Sequence, residues 1–175
     1  LREEVMPELP AKTIQETAVE IDKKTIALAT HYVKTHGGID HITEQLSKGL
    51  AFDTLATVRA ALASAKIPAL MNMIDDYEEQ EEPLVVFSAH RAPIDLLAKR
   101  PGWAVITGDT PPAKRAEIED DFQSGKLKGV GATIKAGGVA ITLTHACHAL
   151  FVDLEWSPAL NSQAEDRICR IGQTR

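Results

Sequence analysis

The chain has 175 residues, 44% hydrophobic and 25% charged, with a net charge of −6, which fits one globular domain with an adequate core and argues against a nucleic-acid binder defined by overall basicity. Two cysteines, Cys147 and Cys169, give no disulfide framework and point to a reducing, intracellular compartment. No apolar run reaches the ~18–20 residues that span a bilayer, and no signal-peptide order opens the chain. Its first residue, Leu1, suggests a piece of a longer protein. Residues 1–82 hold 8 Lys/Arg against 15 Asp/Glu, whereas residues 83–175 hold 11 against 10. Any nucleic-acid contact is therefore expected from a few local cations and backbone amides.

In chain order, the alternation in "TIQETAVEID" predicts a strand with Thr17, Val19 and Ile21 on one side. Asp22 to His36 turns helical and ends at Gly37-Gly38, a C-cap signal. Further helices are expected over 40–48, 50–65 and 67–80, the Ala-rich "LATVRAALASAK" by propensity alone. "EEQEE" (78–82) before Pro83 is expected to be a solvated helix end. From there the pattern alternates: strand 84–89, helix 90–99, strand 103–108, helix 111–123, strand 128–134, strand 148–154, and a final helix from Pro158. Thr110 before Pro111-Pro112 is the expected cap of the 111–123 helix. Strands separated by such helices imply a mainly parallel sheet covered on both faces, an α/β fold. Ligands bind such sheets at the carboxyl ends of the strands, where "FSAH", "TGDT", "TIKAGG" and "DLEW" emerge.

In the last helix Gln163, Arg167 and Arg170 fall within roughly 60° of arc at about 100° per residue, beside an apolar stripe of Leu160, Ala164, Ile168 and Ile171. Arginine suits a phosphate because its planar fork donates to two oxygens and it is always charged. The plain alternative is a pair of surface arginines matched to Glu165 or Asp166. "KAGG" offers glycines that let backbone amides approach a phosphate, or simply a tight turn. No GxxxxGK[ST] loop is present: around "DFQSGKL", Asp120 stands for the first glycine and Leu127 for the hydroxyl. His145, Cys147 and His148 in "HACH" have no second cluster, so no metal site is expected. Trp103 and Phe87 are expected in the core with Met71 and Met73 as packing residues, and Trp156 in the core or at an interface.

"LVVFSAH", "TGDTPPAKRAEIEDDFQ" and "ATIKAGGVAITLTHACHALFVDLEWSPALNSQAEDRICRIGQTR" resemble, in order, motifs IV, V and VI of the Swi/Snf-type DNA-dependent ATPases of helicase superfamily 2. "AITLTHA" and "QAEDR" lean toward the fork-remodelling, annealing-helicase branch. The resemblance is dense over 84–175 and sparse over 13–82. It implies a second, C-terminal RecA-like lobe, a three-layer α/β unit with a helical elaboration in its N-terminal half: residues 1–12 an inter-lobe linker, 13–82 the first strand and elaboration, 83–175 the core. ATP and Mg would be bound mainly by a first lobe. Carried over by position, Arg167 and Arg170 would be arginine fingers, with Gln163, Gly138 and Thr142 on the nucleotide side. Ser88, His90, Thr133, Lys135, Gly137 and Trp156 would face double-stranded DNA. The partners implied are duplex DNA and the first lobe, in the nucleus of a eukaryote or the nucleoid of a prokaryote, with no membrane and no oligomer indicated.

Two positions depart from the family pattern, Ala140 standing for a Gly and Ser157 for an Asn, while Thr142 stands where an Asn or Thr near the ribose is expected. The family also carries a strand after motif VI, beyond Arg175. Two functions from different classes follow. One is the second lobe of an ATP-driven DNA translocase, inactive by itself for want of a phosphate loop; the other is a non-catalytic α/β module that keeps the motor fold to bind DNA or a protein.

Overall fold

A computed structural model describes residues 12–35, 37–38, 40–41, 44, 52–137 and 141–168. Four strands, β1 (Leu84–Ser88), β2 (Trp103–Ile106), β3 (Gly129–Thr133) and β4 (His148–Phe151), form one parallel sheet in the order β2-β3-β1-β4. The register sets Leu84 beside Gly129 and His148, and Ser88 beside Thr133. Seven helices lie among the described residues: α1 (Lys23–Thr35), α2 (Phe52–Ala65), α3 (Ile67–Glu79), α4 (Arg91–Leu97), α5 (Pro112–Gln123), α6 (Ile134–Gly137) and α7 (Pro158–Glu165).

The period of two along β1 splits the core between the sheet's faces. Val85 and Phe87 pack with Ile118 and Phe122 of α5, Ile134 of α6, and Ala164 and Ile168. Leu84 and Val86 pack with Leu70 and Ile74 of α3, Ile94 and Leu97 of α4, and Trp103. Each such fully buried side chain contributes roughly 1.5–3 kcal/mol relative to exposure, so three layers follow from one strand's alternation. α3 thus packs directly on the sheet through Leu70 and Ile74. A smaller cluster, Tyr32 and Val58 with Ala29, Val33, Leu55 and Leu62, joins α1 to α2 and forms the elaboration. Asp22 caps α1, its carboxylate accepting from the Thr25 amide at 2.9 Å and the Thr25 hydroxyl at 2.6 Å, and Gly37 follows the helix with φ 81°.

Several local expectations are corrected. Residues 13–21 form no strand and are mostly exposed. Two half-buried apolar side chains, Val19 and Ile21, bury too little surface to fix a register. Thr110 does not cap α5: Pro111 is the N-cap, with no side-chain bond. The Thr110 hydroxyl instead accepts from the Thr107 amide at 2.9 Å, while Arg115 donates to the carbonyls of Thr110 and Thr107. The KAGG stretch is not simply a loop, since Ile134–Gly137 is a helical turn. The expected helix 40–48 is described only at residues 40, 41 and 44, which are helical.

The acidic end of α3 is more than a solvated terminus. Glu78 accepts from Arg100 Nε at 2.6 Å and Trp103 Nε1 at 2.7 Å, with Lys128 Nζ at 3.5 Å. These bonds tie α3 to the chain entering β2. The Arg100 guanidinium bonded to Glu78, helped by Trp103, holds its carboxyl down from 4.5 to about 2. A depressed carboxylate stabilises the fold above its unfolded pKa, and that contribution is lost as pH falls toward the folded value. Glu78→Gln is expected to cost about 2–3 kcal/mol in urea unfolding at pH 7. The gap to the unmodified protein should narrow as pH drops from about 4.5 toward about 2.

Candidate nucleotide and DNA interface

A parallel sheet buried on both faces leaves its polar chemistry to the strand ends. At the carboxyl edge, Asp153 follows β4 and reaches across to the end of β1. Its carboxylate accepts from the Ser88 hydroxyl and from the Ala89 amide at 3.1 Å, and meets His90 Nδ1. The His90 amide in turn donates to Ser88 Oγ at 3.0 Å. A carboxylate accepts, so Nδ1 is the donor of this pair. Ser88 is fully buried. Its hydroxyl donates to Asp153 and its oxygen accepts from the His90 amide.

Beside them Thr133 is nearly buried at the end of β3, in register with Ser88. Lys135 on α6 is well exposed, with its ammonium 3.5 Å from Glu155. The same edge thus holds His90, Thr133 and Lys135 together. Gly137 has a steric role as well. A Cβ there would lie 2.8 Å from the Phe87 ring and 3.2 Å from Ala132 Cβ, so glycine lets α6 lie against the core. Gly138 and Ala140 lie outside the described residues.

The segment after them, 141–146, is clamped by α5. Glu119 Oε1 accepts from the Thr142 amide at 2.9 Å; Gln123 donates to Thr144 Oγ1 at 3.0 Å and accepts from the His145 amide at 2.8 Å. Neither residue was singled out from the sequence, because helix side chains that accept from a distant backbone leave no periodic signal. The Leu143 amide then donates to the Arg167 carbonyl at 2.9 Å. The 141–146 segment and the turn after α7 are joined there, one residue from Thr142.

The arginine stripe is revised. α7 ends at Glu165, and the Arg167 and Ile168 amides bond back three residues, to Ala164 and Glu165. Arg167 is therefore half-buried in a turn, while Gln163 is exposed on the helix. The apolar stripe survives the change, with Leu160, Ala164 and Ile168 packed on the sheet. Glu165 pairs with Lys12. Arg170 and Ile171 lie outside the described residues. Trp156 is 48% exposed and carries the Arg59 guanidinium 4.2 Å above its ring, so it is not a core residue. His145 packs edge-on to Phe122 and His148 against Tyr77.

The model of the family described as "Helicase conserved C-terminal domain" matches residues 65–172. The chain belongs to this family. Its match begins at the α2–α3 junction and so includes α3, as the packing does. The "SWI/SNF-related matrix-associated actin-dependent regulator of chromatin subfamily A-like protein 1" of Xenopus tropicalis is 30% identical over 190 residues, covering 99% of this chain and 19% of that protein. Among solved structures the C-terminal part of the Fun30 ATPase domain is similar (TM-score 0.57, 26% identity, 63% of this chain and 38% of that one). The Sulfolobus solfataricus SWI2/SNF2 ATPase core in complex with dsDNA shares the fold (TM-score 0.66, 20% identity, 89% and 37%). This helicase C-terminal lobe is of the Swi/Snf type and RecA-like, and it spans about a fifth of the length of the curated relatives it matches. Among the described residues no helix is long and apolar enough to cross a membrane.

Asp153 is the acceptor on which the edge turns. Replacing it with Ala leaves the Ser88 hydroxyl and Ala89 amide without that acceptor, which should cost about 1–3 kcal/mol, against about 1 for Ser88→Ala. Denaturant midpoints of the two variants measure the difference; equal midpoints would show that Asp153 does not organise this edge.

Proposed function

We propose that the chain is the second lobe of an ATP-driven double-stranded DNA translocase, supplying arginines to a nucleotide held mainly by a first lobe and backbone contacts to DNA. The observation that carries this reading is the bond from the Leu143 amide to the Arg167 carbonyl. It sets the turn that carries Arg167 beside the 141–146 segment, in a family whose relatives include an "ATP-dependent helicase" in fission yeast. In this reading Arg167 and Arg170 stabilise charge on the transferring phosphate, with Gln163, Thr142 and Gly138 ordering the nucleotide side. ATP and Mg belong to the complete motor. The DNA side is His90, Thr133, Lys135 and Trp156, with Ser88 and Gly137 acting behind them as support.

Phosphate contacts of this kind are blind to sequence and sensitive to salt, as a translocating motor requires. The 30% likeness to subfamily A-like protein 1, together with "AITLTHA" and "QAEDR", favours the fork-remodelling branch, and a protein acting on duplex DNA inside the cell.

The test is ATP turnover of the full-length protein with and without duplex DNA, beside the 175-residue chain. Turnover stimulated by DNA in the long form and absent from the short one is expected. Arg170→Ala should lower the stimulated rate by about 10³-fold or more with DNA binding kept; normal turnover would remove the finger role. Lys135→Ala should weaken duplex binding and reduce its salt slope by about one unit. No turnover in either form would favour the non-catalytic module.

A further inference from the structure

The helical elaboration makes a set of contacts that the motor reading does not use. Arg59 on α2 stacks its guanidinium over Trp156 at 4.2 Å and donates from its terminal nitrogen to the Leu154 carbonyl, 95 residues away. Lys66, at the α2–α3 junction, donates to the Val152 carbonyl at 2.7 Å, 86 residues away. Both cations address the segment that runs from β4 toward α7. They take alternate residues of it, 152, 154 and 156, on one side. The residues between are fixed from elsewhere: Asp153 by Ser88, Ala89 and His90, and Glu155 by Lys135 and by Asn161, whose side chain bonds both its amide and its carbonyl.

We propose that Arg59 is a positioning residue for Trp156: the elaboration sets the height and tilt of the indole at the DNA-facing edge, with Lys66 anchoring the start of the same segment. The inference rests on Trp156 meeting DNA, as read above. Leu154 and Trp156 are 52% and 48% exposed, so little core packing holds this stretch. A planar guanidinium can stack on a ring and donate in its own plane at the same time, which a lysine ammonium cannot. α2 carries the force inward, because Val58, next to Arg59, is buried against Tyr32 of α1. A movement of α1 and α2 would therefore reach the indole through Arg59.

The 175-residue chain has two tryptophans, and they can be told apart. Trp103 is 7% exposed and hydrogen-bonded to Glu78, so a neutral quencher such as acrylamide reads mainly Trp156. Trp156→Phe supplies the control that removes this fraction.

Uncovering one face of the ring in Arg59→Ala should raise the quenching constant about twofold. Duplex affinity should fall about threefold to tenfold with the salt slope unchanged. Arg59→Lys keeps the charge and should still lose most of the affinity. Unchanged quenching in both variants would overturn the proposal. A salt slope lower by about one unit would also overturn it, because Arg59 would then be a phosphate contact itself. A wild-type chain that binds no duplex, with the quenching change intact, would remove the DNA reading and leave the positioning of Trp156 standing.

Discussion

Every residue of β1, Leu84 through Ser88, is buried, and this constraint arranges the rest of the lobe. A central strand with no solvent on either face must be covered twice, by α5, α6 and α7 on one side and α3 and α4 on the other. Its neighbours must supply the hydrogen bonds, and β3 and β4 do so in parallel register. Polar side chains are thereby expelled to the strand ends. Ser88 is the limiting case: the last residue of the strand is polar, fully buried, and tolerable only because Asp153 accepts its hydroxyl.

The five residues 152–156 show what that edge requires. They have left the sheet and have not entered α7, so the chain must supply partners for the exposed backbone one by one. Val152 receives a bond from Lys66 besides donating its amide to the Phe87 carbonyl at 2.9 Å; Leu154 receives one from Arg59, and Glu155 is held at both backbone groups by Asn161. No single element fixes the segment. Lys66, Phe87, Arg59 and Asn161 together do, so the placement of His90, Lys135 and Trp156 depends on several elements of the lobe.

How much of this was legible follows the range of each interaction. The four strands, their parallel direction and the burial of Phe87 and Trp103 could be read because they depend on short apolar runs and on the helices between them. The resemblance in motifs IV to VI named the family for the same stretch. The strand at 13–21 failed because alternation shows what a strand could bury, not whether a sheet offers a place. Glu78 was missed because its partners Arg100, Trp103 and Lys128 lie 22 to 50 residues away. Gly137 was placed at the site because a glycine lets backbone amides approach a phosphate; that it also lets α6 lie against Phe87 is a steric fact of the tertiary structure. Arg59, within an Ala-rich helix, carried no signal.

The end of α7 has a consequence for the arginines. Had the helix continued, Gln163, Arg167 and Arg170 would share one face, and their spacing would be fixed by the helical repeat alone. Because the helix stops at Glu165, Arg167 takes its place from three-residue backbone bonds and from the Leu143 amide, and Leu143 is set in turn by the grip of Glu119 and Gln123 on its neighbours. The position of Arg167 is then coupled to α5 and to the segment 141–146. It is not a feature of α7 by itself. A shift in the 141–146 segment would move Arg167 with it, and a shift at Arg167 would be felt there. Such a link is what a lobe needs if events at a nucleotide and events at the strand edge are to alter one another through packed and hydrogen-bonded elements.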